Sequence, residues 1–83
     1  MPYNPQTKAE LIQRYKLSIA KLEDQIEKLH TDKTLSVAER QKKIARRVEI
    51  INDYKISIKQ AQDYIDREYA KAKQIQERYM NQK

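Results

Sequence analysis

Glu27-Lys28-Leu29-His30 has the E-x-x-H spacing found in the di-iron sites of helical bundles, where carboxylate and imidazole project from one helical face. Such a site also needs an inward Glu on each of two further helices. Here Ile26 and Leu29 hold the inward positions, which leaves Glu27 and His30 on the flanks. The facing start of the second helix offers only Glu39, which points away. The bland reading is an exposed imidazole near a helix C-terminus, where positive charge is favoured. Ser18, Ser36 and Ser57 lie far apart in register and have no neighbouring base, so no nucleophile–base pair forms. Glu23, Asp24, Asp63 and Asp66 stand among Lys and Arg at helical spacing, the ordinary pattern of a solvated face. The expectation is a non-enzymatic protein with no cofactor and no metal.

Two further groups of residues suggest binding. Arg40, Lys42, Lys43, Arg46 and Arg47 place five basic residues within eight positions. On a helix they fall in an arc centred opposite Val37, Ile44, Val48 and Ile51. A stripe of this kind can lie along a phosphate backbone and release counterions, or can simply keep a bundle soluble. Neither helix-turn-helix spacing nor a zinc knuckle is present, so base-specific readout is not indicated. The aromatic complement is six tyrosines, four of them (Tyr54, Tyr64, Tyr69 and Tyr79) in the second half of the chain. Interleaved with cations, such rings can stack on single-stranded bases. At a helix interface they bury the ring and leave the hydroxyl wet. Tyr69 and Tyr79 follow the apolar stripe and read as interface. Tyr64 lies off it and reads as an exposed contact residue, a candidate for the same acidic-partner or nucleic-acid binding as the basic residues.

Composition narrows the field. The chain has 83 residues, 36% of them charged and 39% apolar, with no Gly, Cys, Trp or Phe. Without Gly there is no phosphate-cradling loop, because such loops use backbone conformations that only Gly adopts readily. Without Cys there is no disulfide frame and no thiolate nucleophile or ligand. A chain this short and polar does not enclose a deep pocket. Eighteen Lys and Arg against twelve Asp and Glu leave a net charge of +6, which favours acidic partners. No secretory leader and no membrane-spanning run is apparent, so the expected location is the cytoplasm, without membrane insertion.

Helices must position all of these groups. Pro2 and Pro5 precede everything else, and nothing after them forces a break. Thr7-Lys8-Ala9-Glu10 and Ser36-Val37-Ala38-Glu39 both read as capping boxes. The expected elements are a first helix over 7–30, a turn over 31–35 and a second helix over 36–80, forming one domain over 1–83. Ile12, Tyr15, Ile19, Leu22, Ile26 and Leu29 alternate steps of three and four, a heptad seam. Val37, Ile44, Ile51, Ile58, Ile65, Ala72 and Tyr79 follow at intervals of seven, which implies left-handed supercoiling. The companion line is ambiguous. Val48 and Tyr69 share one candidate line, and Tyr54, Ala61 and Ile75 share its neighbour.

The fold class expected is all-α: an antiparallel helical hairpin of a short and a long helix with coiled-coil-like packing, forming a dimeric bundle. About the turn, Leu29 should lie near Val37, Leu22 near Ile44, Ile19 near Val48 and Tyr15 near Ile51. The first helix then runs out opposite Ile58. Beyond that point the stripe of Ile65, Tyr69, Ala72, Ile75, Tyr79 and Met80 is left without a partner in its own chain over about 30 Å. Ile58, Ile65, Tyr69, Ala72, Ile75 and Tyr79 are the expected self-association or partner interface. A rival layout breaks the second helix within 52–60 to give a monomeric three-helix bundle. In outline the hairpin resembles small helical regulators and adaptors of bacteria, plasmids and phages, an analogy of architecture alone. The composition would fit a phage or mobile-element origin. The functional expectation is a regulatory interaction protein that forms a homodimer and binds a protein partner through the second helix. The alternative is a nucleic-acid-binding or packaging accessory that uses the basic stripe.

Overall fold

The computed structural model describes residues 5–81; Pro2 and Tyr3 lie outside the described residues. Two helices account for nearly all of it: α1 (Pro5–His30) and α2 (Val37–Met80). Helix α1 begins at a proline, whose missing N–H would have no intrahelical partner at that position anyway. The start therefore falls two residues earlier than the Thr7 box suggests, and Thr7 lies inside the first turn. Ser36 does cap α2. Its backbone is extended (φ −66°, ψ 162°), and its Oγ accepts from the Glu39 N–H at 3.1 Å. Helix α2 runs unbroken through 52–60, so the three-helix layout is not adopted. At its end the Asn81 N–H donates to the Glu77 carbonyl at 3.0 Å.

The helices pack antiparallel. Arg47 Nε donates to Gln25 Oε1 at 3.0 Å, and the Tyr15 and Tyr54 rings meet with centroids 5.4 Å apart at 41°. Lys8 Nζ lies 5.4 Å from the centre of the Tyr64 ring. This register slides α1 about one turn further along α2 than expected. The cause is visible at the tip. Val37 points outward, 64% exposed, and the first residue of α2 to face α1 is Arg40. Helix α1 therefore reaches the level of Tyr64 and Arg67, and does not run out opposite Ile58.

The register also decides which apolar line of α2 is used. Ile44, Ile51, Ile58 and Ile65 turn inward together with Arg47, Tyr54, Ala61 and Glu68. Val48 and Tyr69, the competing line, are 42% and 72% exposed, so Val48 does not serve as the partner of Ile19. On α1 the expected seam is the observed one. Ile12 and Ile19 are buried, and Tyr15, Leu22, Ile26 and Leu29 are half-buried.

The resulting core is slender. Among the described residues only Ile12, Ile19, Ile51 and Ala61 are buried. The molecule measures 72 × 21 × 16 Å with a radius of gyration of 20.1 Å. A compact chain of this length would have about 12 Å. The three ion pairs among the described residues, Asp24–Lys28, Arg46–Glu49 and Glu68–Lys71, each lie within one helix and near the surface, where such pairs contribute about 0–1 kcal/mol. Apolar contact along one line therefore holds the hairpin. Ile51→Ala should cost about 2–5 kcal/mol, comparable to the whole stability that so small a core supplies. Thermal melts followed by circular dichroism should show most of the cooperative transition gone, whereas Val48→Ala should leave it nearly unchanged.

Candidate functional site

At the tip, the turn is built from side chains that bond to nearby backbone. Asp32 Oδ1 accepts from the Thr34 N–H at 2.9 Å and also from the Thr34 hydroxyl. Thr31 donates twice to the Lys28 carbonyl, through its N–H at 3.3 Å and its hydroxyl at 3.2 Å. Arg40 then ties α2 to the end of α1. Its guanidinium donates to the carbonyl of His30 at 3.3 Å and to that of Leu35 at 3.4 Å. A cation at this position satisfies helix-terminal carbonyls and complements the negative end of the helix dipole. Arg40 Nε is buried and makes no hydrogen bond among the described residues.

This arrangement divides the basic stripe. Arg40 faces the seam and holds the turn. Arg47 also faces inward, bonding Gln25 and, through Nη1, the Lys43 carbonyl at 3.0 Å. Lys42, Lys43 and Arg46 remain on the outer face, with Arg46 3.5 Å from Glu49. The five cations do not form one outward surface. The sequence contains the reason: Arg40 and Arg47 stand seven apart on the line of Tyr54 and Ala61, the line the register selects.

The six residues expected at an interface divide as well. Ile65 is half-buried, which corrects the expectation that it lacks a partner within the chain, and Ile58, expected at the end of α1's reach, is half-buried as well. Beyond Glu68 every described residue is exposed. Ala72 and Tyr79 continue the line of Ile51, Ile58 and Ile65, and Ile75 continues that of Tyr54 and Ala61. Ile75 is 66% exposed and Tyr79 is 81% exposed, with Tyr69 and Met80 beside them. From Ala72 to Met80 no side chain makes a hydrogen bond or ion pair with another described residue. The free end is thus twelve residues, Tyr69–Met80, about 18 Å long.

Sequence reasoning did not find the third feature. A lateral cleft of about 260 Å³ opens between the helices near the N-terminus of α1. Ala61 lies at its base. Leu11, Tyr15 and Tyr64 line it, along with Ser57 and Gln60, and Lys8 and Arg67 border it. Tyr64, expected as an exposed contact residue, is half-buried here beneath Lys8. The signal was the small Ala61 on an otherwise bulky line, but it becomes readable only once that line is known to face α1.

Elsewhere, Glu27 and His30 are exposed on α1. No cluster of three or more His, Cys, Asp or Glu suited to a metal occurs among the described residues. Neither helix is long and apolar enough to cross a membrane. Comparison of the chain with protein-family models, curated proteins and solved structures found no match.

The Thr34 bonds, reinforced by the nearby charges of Arg40 and Lys43, hold the Asp32 carboxyl below its ordinary value. Its folded-state value is depressed, so its contribution to stability is present above the ordinary 3.8 and is lost as pH falls through the lower folded-state value. Carboxyl-detected NMR titration should place the Asp32 midpoint below 3.8 in the native protein. In Arg40→Gln the midpoint should rise toward 3.8, and the melting temperature should fall at neutral pH as the carbonyls of His30 and Leu35 lose their cation.

Proposed function

We propose that this chain is a non-enzymatic interaction protein that self-associates and binds a protein partner through the free end of α2. One observation carries the reading: the apolar line that packs against α1 as far as Glu68 continues through Ala72, Ile75 and Tyr79, with nothing over it among the described residues. An apolar face that extends an interior seam is a docking surface in the ordinary economy of helical bundles. In the association of two copies, their free ends lie antiparallel, with Ala72 of one facing Ile75 of the other. The small residue receives the large one, and each α1 limits the overlap.

Magnitudes describe the strength. Tyr69, Ile75 and Tyr79 each gain about 1.5–3 kcal/mol on full burial. Association costs about 4–15 kcal/mol in lost freedom. Self-association is therefore weak and concentration-dependent, and a partner offering a longer apolar helix binds the same face more tightly. The nucleic-acid reading ranks below this one because Arg40 and Arg47 are engaged within the hairpin.

Sedimentation velocity over micromolar to millimolar concentrations tests the proposal. The wild-type protein should shift from the mass of one chain toward that of two. Ile75→Asp should stay at one, with the helical signal of the hairpin largely retained. A wild-type protein that remains monomeric throughout, or an Ile75→Asp variant that associates equally well, would remove the free end from the account.

A further inference from the structure

Charge decides which kind of helix suits the free end of α2. Between Tyr69 and Met80 lie three cations, Lys71, Lys73 and Arg78, and one carboxylate, Glu77. With one turn in about 3.6 residues, Lys71 and Arg78 fall roughly a quarter-turn to one side of the seam of Ala72, Ile75 and Tyr79. Tyr69 and Gln76 fall about as far to the other side, and Lys73 lies beyond them. Glu77 is on the back of the helix, turned away from the seam. The exposed apolar face therefore has one basic edge and one neutral edge.

The two cations of the basic edge are satisfied to different degrees. Lys71 Nζ lies 3.4 Å from a Glu68 carboxylate oxygen, an exposed pair that offsets part of its charge. The Arg78 side chain makes no ion pair or hydrogen bond with another described residue. Its place in the last turn suits the helix dipole, yet its guanidinium donors find no acceptor among the described residues. A second copy docked antiparallel brings like edges together and sets Lys71 of each chain beside Arg78 of the other. Like charges so placed oppose the pairing. Lipid is the poorer match as well, because a surface-lying helix buries a wide apolar face. Here the seam is two lines wide, with the spacing by which α2 already packs on a helix.

We propose that the free end receives an acidic amphipathic helix of a protein partner, with two carboxylates seven residues apart beside its own apolar seam. This rests on the reading that the free end binds a protein, and it gives that partner a chemistry. On docking, the partner's aliphatic side chains cover Ala72, Ile75 and Tyr79. One carboxylate meets Arg78 in the forked geometry that a guanidinium favours, and the other takes a remaining donor of Lys71. Equal spacing on the two helices keeps both contacts in step with the seam.

The probes are two blocked three-heptad helical peptides with the same leucine and alanine seam, one flanked by glutamate and one by lysine. Each is titrated into the ¹⁵N-labelled full chain at a concentration where the protein is monomeric. Amide shifts should concentrate at 69–80, and the glutamate peptide should bind about tenfold more tightly than the lysine peptide. The gap should shrink in about 0.5 M salt. It should close in the Lys71→Gln, Arg78→Gln double variant, with helicity checked by circular dichroism. Equal affinity for the two peptides, or a gap that survives in the double variant, would overturn the acidic assignment while the docking reading stands. If neither peptide acts and these amides move only as protein concentration rises, the occupant is a second copy. If phosphatidylserine vesicles move them and the glutamate peptide does not, the basic edge belongs to lipid. Silence at 69–80 in every titration would remove both the acidic partner and the docking surface.

Discussion

The structure depends on one unequal pairing: a single apolar line on α2 has only α1 to cover it, and α1 is shorter. The seam from Ile44 to Ile65 is satisfied, and the same line then passes into solvent without changing character. Among the described residues neither helix has another element to lean on, so the extent of α1 fixes where interior ends and surface begins. The slenderness of the core and the bareness of the last three turns follow from that arithmetic. So does the cleft, because Ala61 sits on the covered line where a bulkier residue would have closed the gap.

Register at the tip determines which residues occupy the line. Ser36 caps α2 so that Val37 projects outward, and Arg40 becomes the first inward group, drawn to the carbonyls of His30 at the end of α1 and of Leu35 in the turn. Asp32 shapes the turn that makes this approach possible. A polar cluster of local bonds thus sets the alignment of an apolar seam several turns away. An arginine that looks in the sequence like part of a solvent-facing stripe turns out to hold the two helices at their working offset.

Much of this was legible beforehand. Periodicity identified both helices and the α1 seam, because an apolar residue on nearly every turn of a Gly-free stretch has few alternatives. The unbroken α2 followed from an uninterrupted repeat through 52–60. The offset between the helices was not legible, because it turns on which way Val37 points, and capping geometry decides that. A shift of about one turn then moved Ile65 from the free face into the hairpin, took Arg40 and Arg47 out of the stripe, and placed Tyr64 beneath Lys8. The cleft was hidden for the same reason: its lining comes from residues on two helices whose juxtaposition depends on the offset.

The bare last turns of α2 have a consequence for how the molecule comes apart. Their helix is continuous with a segment already ordered by α1, so they form without the cost of nucleation, yet nothing lateral holds them. Opening should begin at Met80 and travel inward, meeting stronger resistance where Ala61 and Ile51 are packed. The rod is then a ladder of graded protection against solvent exchange, with its least protected rungs at one end. Anything that grips that end lengthens the ordered portion and tightens amides well inside the hairpin without changing its shape.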